Sequence, residues 1–205
     1  MISTPLTVGF DLDMTLIDSR PGVHATMTEL SRRTGVAIDA DAVVSRLGPP
    51  LEEELAYWFP QERIAAVGDE YRALYPDFAI APVPAMPGAA EAFAAIRERA
   101  GRVMVITAKY APSAQLHLEH LGLVPDVLVG WHWGPKKGEA LREHGASVYV
   151  GDHIGDILGA RAGGAVAVSV ATGPVSAADL AAAGADAVLA DLRGFPAWLD
   201  GYLAA

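Results

Sequence analysis

Hydrophobic and polar positions follow two different periods along the chain, and the change between them divides it. Near the amino terminus a short apolar run, about Leu6 to Phe10, stops on acidic residues, which predicts a buried strand with carboxylates at its end. From Ser19 to about Tyr75 apolar positions recur every three or four residues (Val23, Met27, Leu30; Val43, Val44, Leu47; Leu51, Leu55, Phe59; Ile64, Val67, Tyr71, Leu74). That spacing predicts helices, with Asp39 as an N-cap and Gly35 and Gly48 as stops. The proline-rich stretch from Ala79 to Gly88 predicts an extended return, with its partner hinge near Leu16 to Ser19.

Beyond Gly88 the two periods alternate. Helices carrying Phe93 and Ile96, Leu116 and Leu121, Leu141, and Ile157 and Leu158 precede apolar runs at Val103 to Ile106, Val127 to Val129, Val148 to Val150 and Ala165 to Val170. A helix from Ser176 to Ala183, an edge strand at Ala187 to Leu189 and a final helix to about Leu203 complete the pattern. Strands separated by single helices, several apolar on both faces, predict an α/β parallel sheet covered on each side.

Composition narrows the function. With 205 residues, 52% hydrophobic and 20% charged, the chain can bury a sizeable core. A net charge of -10 with no basic stripe argues against nucleic acid as a partner, and an anionic substrate would need a local metal or lysine. The absence of cysteine removes disulfides, thiolate metal sites and cysteine nucleophiles. No run reaches the ~18 apolar residues of a membrane span, and the first ten residues lack signal-peptide character. The expectation is a soluble cytoplasmic protein with no membrane partner. Trp58, Trp131, Trp133 and Trp198 leave room for a monomer or a homodimer with an aromatic interface.

Four polar groups fall at strand ends in this reading: Asp11 and Asp13; Thr107-Ala108-Lys109; Pro135-Lys136-Lys137; and Gly151-Asp152-His153-Ile154-Gly155-Asp156. Parallel strands bring their carboxyl ends to one rim, so the four share an edge. Two adjacent ionised carboxylates ask for a cation and for divided roles.

Asp-x-Asp-x-Thr, then a Thr, a Lys and Gly-Asp-x-x-x-Asp, in that order, resembles the haloacid dehalogenase-like superfamily of phosphohydrolases. The helical insert and Gly48-Pro49-Pro50-Leu51-Glu52-Glu53 are similar to the cap of its phosphoglycolate phosphatase-like branch. The resemblance implies a Rossmann-like parallel-sheet core of residues 1–17 and 83–205 with an inserted all-α cap of residues 18–82. It implies a magnesium-dependent phosphatase acting on a small anionic phosphorylated metabolite, phosphoglycolate-like or a sugar phosphate, through an aspartyl phosphate. Asp11 would attack phosphorus, and Asp13 would protonate the leaving oxygen and then activate water. Asp11, the Asp13 carbonyl and Asp152 would hold magnesium, with Asp156 as a further metal candidate or an orienting acid. Thr107 and backbone amides near Leu12 and Ala108 would bind phosphate, with Lys137, or Lys136, supplying positive charge.

Lys109 is expected at the rim. Trp131-His132-Trp133 is expected to pack or to wall the substrate, and His24 and Arg46 to lie on solvated faces or reach the substrate. A phosphosugar mutase is disfavoured because such enzymes carry Gly-Val where this chain has Met14-Thr15. A metal-free dehalogenase is disfavoured by Asp13, and a phosphoacceptor signalling module by the insert.

Overall fold

A computed structural model describes residues 6–205; the first five residues of the expected 1–17 core segment lie outside the described residues. The chain runs β1 (Thr7–Phe10), α1 (Arg20–Thr34), α2 (Ala40–Val44), α3 (Leu51–Leu55), α4 (Gln61–Phe78), α5 (Ala89–Arg97), β2 (Arg102–Ile106), α6 (Ala111–His120) and β3 (Val127–Val129). It continues through α7 (Lys137–Glu143), β4 (Val148–Gly151), α8 (Ile154–Gly163), β5 (Val166–Val170), α9 (Ala177–Ala182), β6 (Ala187–Leu189) and α10 (Phe195–Ala204).

The strands form one parallel sheet in the order β3-β2-β1-β4-β5-β6. Val8 pairs with Val103 on one side and Val148 on the other, so β1 is central. Successive strand residues face opposite ways, and the two faces bury different helices. Val8, Phe10, Val103, Val105, Val148 and Val150 pack with Phe93, Leu118 and Phe195 from α5, α6 and α10. Met104, Ile106, Tyr149 and Ala167 pack with Leu141, Ile157 and Leu180 from α7, α8 and α9. Gly9 stands beside Tyr149, where a Cβ would come within 2.8 Å of the ring. The glycine thus makes room for an aromatic whose hydroxyl donates to the Ile106 carbonyl at 2.8 Å. After β1 the chain builds one half of the sheet and then returns to build the other from β4. Strand order therefore reverses at β1, which opens a crevice at its carboxyl end.

Helices α1 to α4 enclose an apolar cluster of their own, including Met27, Leu30, Leu55, Val67 and Leu74. The chain leaves and re-enters the sheet through two adjacent strands of backbone, with Asp18 donating to the Pro84 carbonyl at 3.0 Å and Met86 to that of Leu16 at 2.8 Å. Asp39 caps α2 by accepting from Ala42 at 3.0 Å, and Gly35 ends α1 in the left-handed region at φ 69°.

The structure corrects the expected role of Gly48. Helix α2 stops at Val44, where Ser45 bonds back to the Ala42 carbonyl, and Gly48 lies in the following loop. There a Cβ would approach the His153 ring to 2.9 Å, so this loop rests on the end of the sheet. The apolar period through Phe59 continues past the end of α3 because Phe59 is buried from a turn.

Candidate active site

The carboxyl ends of β1, β2 and β4 converge at the crevice. The Asp11 amide extends the ladder by donating to the Val150 carbonyl at 2.8 Å, which fixes its side chain beside the turn after β4. Beyond it the backbone folds sharply: Leu12 accepts from Leu16 at 2.9 Å, and Met14 adopts φ 61°. A left-handed residue with a Cβ costs about 1 kcal/mol, and here it aims Thr15 inward. The Thr15 hydroxyl donates to Asp152 Oδ1 at 2.8 Å. On its other side Asp152 lies against Gly173, where a Cβ would collide with Oδ2.

Lys137 opens α7 and is completely buried, its Nζ 2.6 Å from Asp11 Oδ1 and 2.6 Å from Asp156 Oδ1. Lys136 precedes it by one residue and so points elsewhere; it is exposed, with Nζ 3.3 Å from the Trp131 carbonyl. The structure therefore brings Lys137, and not Lys136, to the carboxylates. Asp156 also accepts from the His153 amide at 3.0 Å, capping α8.

Asp11, Asp152 and Asp156 are all buried and can present carboxylate oxygens within 4.8 Å of one another. Burial pushes the Asp11 carboxyl up, the Lys137 ammonium opposes it, and neighbouring Asp156 and Asp13 add to the rise, leaving it at about 7. Burial, then the Asp156 and Asp11 charges, push Asp152 well above the carboxylate range. Burial would lower Lys137, but Asp11 and Asp156 outweigh it and raise the ammonium well above its ordinary value. Fully ionised, the three buried carboxylates would outnumber the one ammonium, and a hard divalent cation held by oxygen ligands would offset that excess in place of protons.

The Asp13 carboxylate does not join this group. It pairs with Lys109 at 2.9 Å, and Lys109 is also 4.8 Å from the Tyr75 ring. Lys109 is thus not the rim residue expected from sequence: the Asp13 charge and the aromatic face draw it into the crevice. Burial raises the Asp13 carboxyl, but Lys109 outweighs it and the net position is below the ordinary value. Thr107, buried at the end of β2, accepts from the Lys109 amide at 3.1 Å, which leaves its own O–H to donate. Ala108 lines the same crevice, and the fully buried Leu12 lies between the two acids.

Above Asp13 and Lys109 a cleft lies between α1 to α4 and the sheet edge. Trp131 and Arg46 line it, while His24 faces Asp41 at 3.4 Å on the outside of the helices. Trp133 packs against His153, ring centres 5.0 Å apart, and His132 bonds the Gly130 carbonyl at 2.8 Å. Thr15, Gly173, Arg72, Glu52 and Glu54 belong to the site without having been singled out as site residues from sequence. For Thr15 the signal was present, since it closes the Asp-x-Asp-x-Thr run.

The sequence matches the family model for haloacid dehalogenase-like hydrolases over residues 8–161 and that for HAD-hydrolase-like proteins over residues 135–195. A curated relative from Dickeya dadantii, "Probable phosphatase IndB", is 31% identical over 189 residues, covering 82% of each chain. The tyrosine-protein kinase PtkA of Mycobacterium tuberculosis is 28% identical over 184 residues, 83% of this chain and 63% of that protein. Among solved structures, a haloacid dehalogenase-like family hydrolase from Streptococcus pneumoniae aligns with a TM-score of 0.81 at 26% identity, covering 99% of this chain and 100% of that one.

Proposed function

Because the chain belongs to the haloacid dehalogenase-like hydrolase family, we propose that it is a magnesium-dependent phosphatase that hydrolyses a small phosphomonoester through an aspartyl phosphate on Asp11. The observation that carries this reading is the buried set of Asp11, Asp152 and Asp156 around the Lys137 ammonium. A structural ion pair would balance its charges, and this one leaves a surplus of acid.

Asp11, Asp152 and the Asp13 backbone carbonyl would hold the ion, with Asp156 holding either the ion or Lys137. Bound magnesium supplies charge neutralisation at the transferring phosphoryl oxygens. Lys137 fixes Asp11 so that one carboxylate oxygen faces phosphorus. Asp11 attacks, the phosphorus–ester bond breaks, and Asp13 delivers a proton to the departing alkoxide. Asp13 then takes a proton from water as that water attacks the acyl phosphate, which returns Asp11 and releases phosphate. For the first step Asp13 must carry a proton although Lys109 favours its charged form. An incoming phosphate dianion supplies the opposing influence by pairing with Lys109 and repelling the carboxylate. Thr107 and the backbone around Leu12 and Ala108 donate to the phosphoryl oxygens. Residues 18–82 serve as a cap over the site, and residues 1–17 and 83–205 as its base.

Turnover of phenyl phosphate should require magnesium, and Asp11→Asn should abolish it. Robust turnover in excess chelator, or by that variant, contradicts the mechanism. The likeness to PtkA raises transfer to an acceptor other than water, as a mutase also performs. Release of one free phosphate per ester cleaved distinguishes hydrolysis from such transfer.

A further inference from the structure

The cleft above Asp13 receives the alcohol half of any phosphomonoester, because Asp13 is the acid that meets the leaving oxygen. Among the described residues three cations line it, Arg46, Arg72 and Lys109, and each already faces a carboxylate that also lines it. Arg46 grips both oxygens of Glu54, at 2.6 and 3.1 Å, and Glu54 additionally accepts from the Trp58 indole at 3.0 Å. Arg72 pairs with Glu52, and Lys109 with Asp13 at 2.9 Å. The guanidiniums therefore offer no unspent positive charge to a second anionic group.

The rest of the wall is chiefly apolar and aromatic. Val23, Met27, Val43 and Leu47 come from the helices, with Tyr71 and Trp131 presenting rings. Trp131 holds a left-handed backbone at φ 62°, costly for so bulky a residue, and leaves 45% of its surface exposed. Arg72 lies 4.5 Å from its ring and Tyr110 packs against it with centres 5.4 Å apart. With 45% of its surface still exposed beside these neighbours, the ring adds aromatic surface to a chiefly apolar cleft, which favours a flat, uncharged ligand over a charged one.

We propose that the substrate is the phosphomonoester of an uncharged, ring-bearing alcohol, and not of a hydroxy acid or a second phosphate. This rests on the phosphatase reading of the same site. A carboxylate entering the cleft must displace Glu54 or Glu52 from its guanidinium or be buried unpaired, and either outcome is unfavourable.

The test is kcat/KM with magnesium for phenyl phosphate, 4-carboxyphenyl phosphate and phosphoglycolate. Phenyl phosphate should exceed both others by about tenfold or more. Glu54→Gln, which frees Arg46, should raise the carboxyphenyl-to-phenyl ratio by about tenfold. Glu52→Gln, at a more exposed position, should shift the ratio the same way through Arg72 and serves should the first variant fold poorly. Equal or faster turnover of either carboxylated ester overturns this substrate class while leaving the phosphatase reading intact. An unchanged ratio in both folded variants overturns the charge-balance argument. If none of the three esters is cleaved, the phosphatase reading fails and this inference fails with it.

Discussion

Replacing Lys137 by methionine keeps most of the side chain's volume and removes the ammonium, its charge and its N–H donors together. Each of its two contacts, to Asp11 and Asp156, is 2.6 Å long. At an effective dielectric constant near 20, a unit pair at that distance attracts by about 6 kcal/mol, most of which offsets the desolvation of three buried groups. What the variant loses is therefore governed by the two carboxylates left facing each other without a counter-ion. Breaking a buried pair in this way costs about 3–5 kcal/mol. In a chain of this size each kcal/mol lowers the melting temperature by about 2–4 °C, so the metal-free variant should melt roughly 6–20 °C below the parent. Added magnesium should recover part of that difference, because the ion replaces the missing positive charge. Lys136→Met is the control: an exposed lysine touching only a carbonyl should change stability by no more than about 0.5 kcal/mol. Thermal melts followed by circular dichroism, with and without magnesium, decide the matter. A Lys137→Met variant that melts within 2 °C of the parent (on the order of 1 kcal/mol), or a control that loses as much, would refute the placement of charge described here.

Other consequences are open to measurement. Thr15→Val removes the hydroxyl that holds Asp152 at 2.8 Å, and the magnesium concentration for half-maximal activity should rise by about 10–100-fold; an unchanged magnesium titration argues against Asp152 as a ligand. Burial, aided by the Lys109 charge, lowers His117 from 6.5 to about 4, so above pH 6.5 neither folded nor unfolded chain is protonated there. As pH falls from 6.5 towards 4 the unfolded chain takes up the proton first, and stability should drop by about 3 kcal/mol. His117→Gln, which retains a partner for the Tyr75 hydroxyl, should lose that part of the pH slope in urea titrations; an identical slope refutes it.

Much of this arrangement is legible in the sequence because the residues concerned act locally. An apolar run near the amino terminus cut short by Asp11 reads as a strand end, and the three-to-four-residue period from Val23 to Leu74 reads as helices that each bury one stripe. The split of β1 into two faces follows from period two once its neighbours are parallel. Tertiary relationships are what the sequence withholds. Lys109 after a strand end reads like any solvated loop lysine until Asp13 and Tyr75 are seen beside it. Lys136 and Lys137 are adjacent letters between which the resemblance favours the second, and only the step of one residue into α7 separates a surface lysine from a buried one. The partners of Arg46 and Arg72 lie at separations of 8 and 20 residues, across loops whose course no local period defines. Gly173 carries no signal at all, since its purpose is the space that Asp152 occupies.

The central claim is that Asp11 becomes covalently phosphorylated. Acid quenching during turnover of phenyl phosphate, followed by borohydride reduction and peptide mass spectrometry, reads this directly, since reduction converts an aspartyl phosphate to homoserine. Homoserine at position 11, formed only with magnesium and lost in competition with inorganic phosphate, is the expected result. Modification at Asp13, Asp152 or Asp156 instead, or continued turnover with no modified aspartate, would contradict the account.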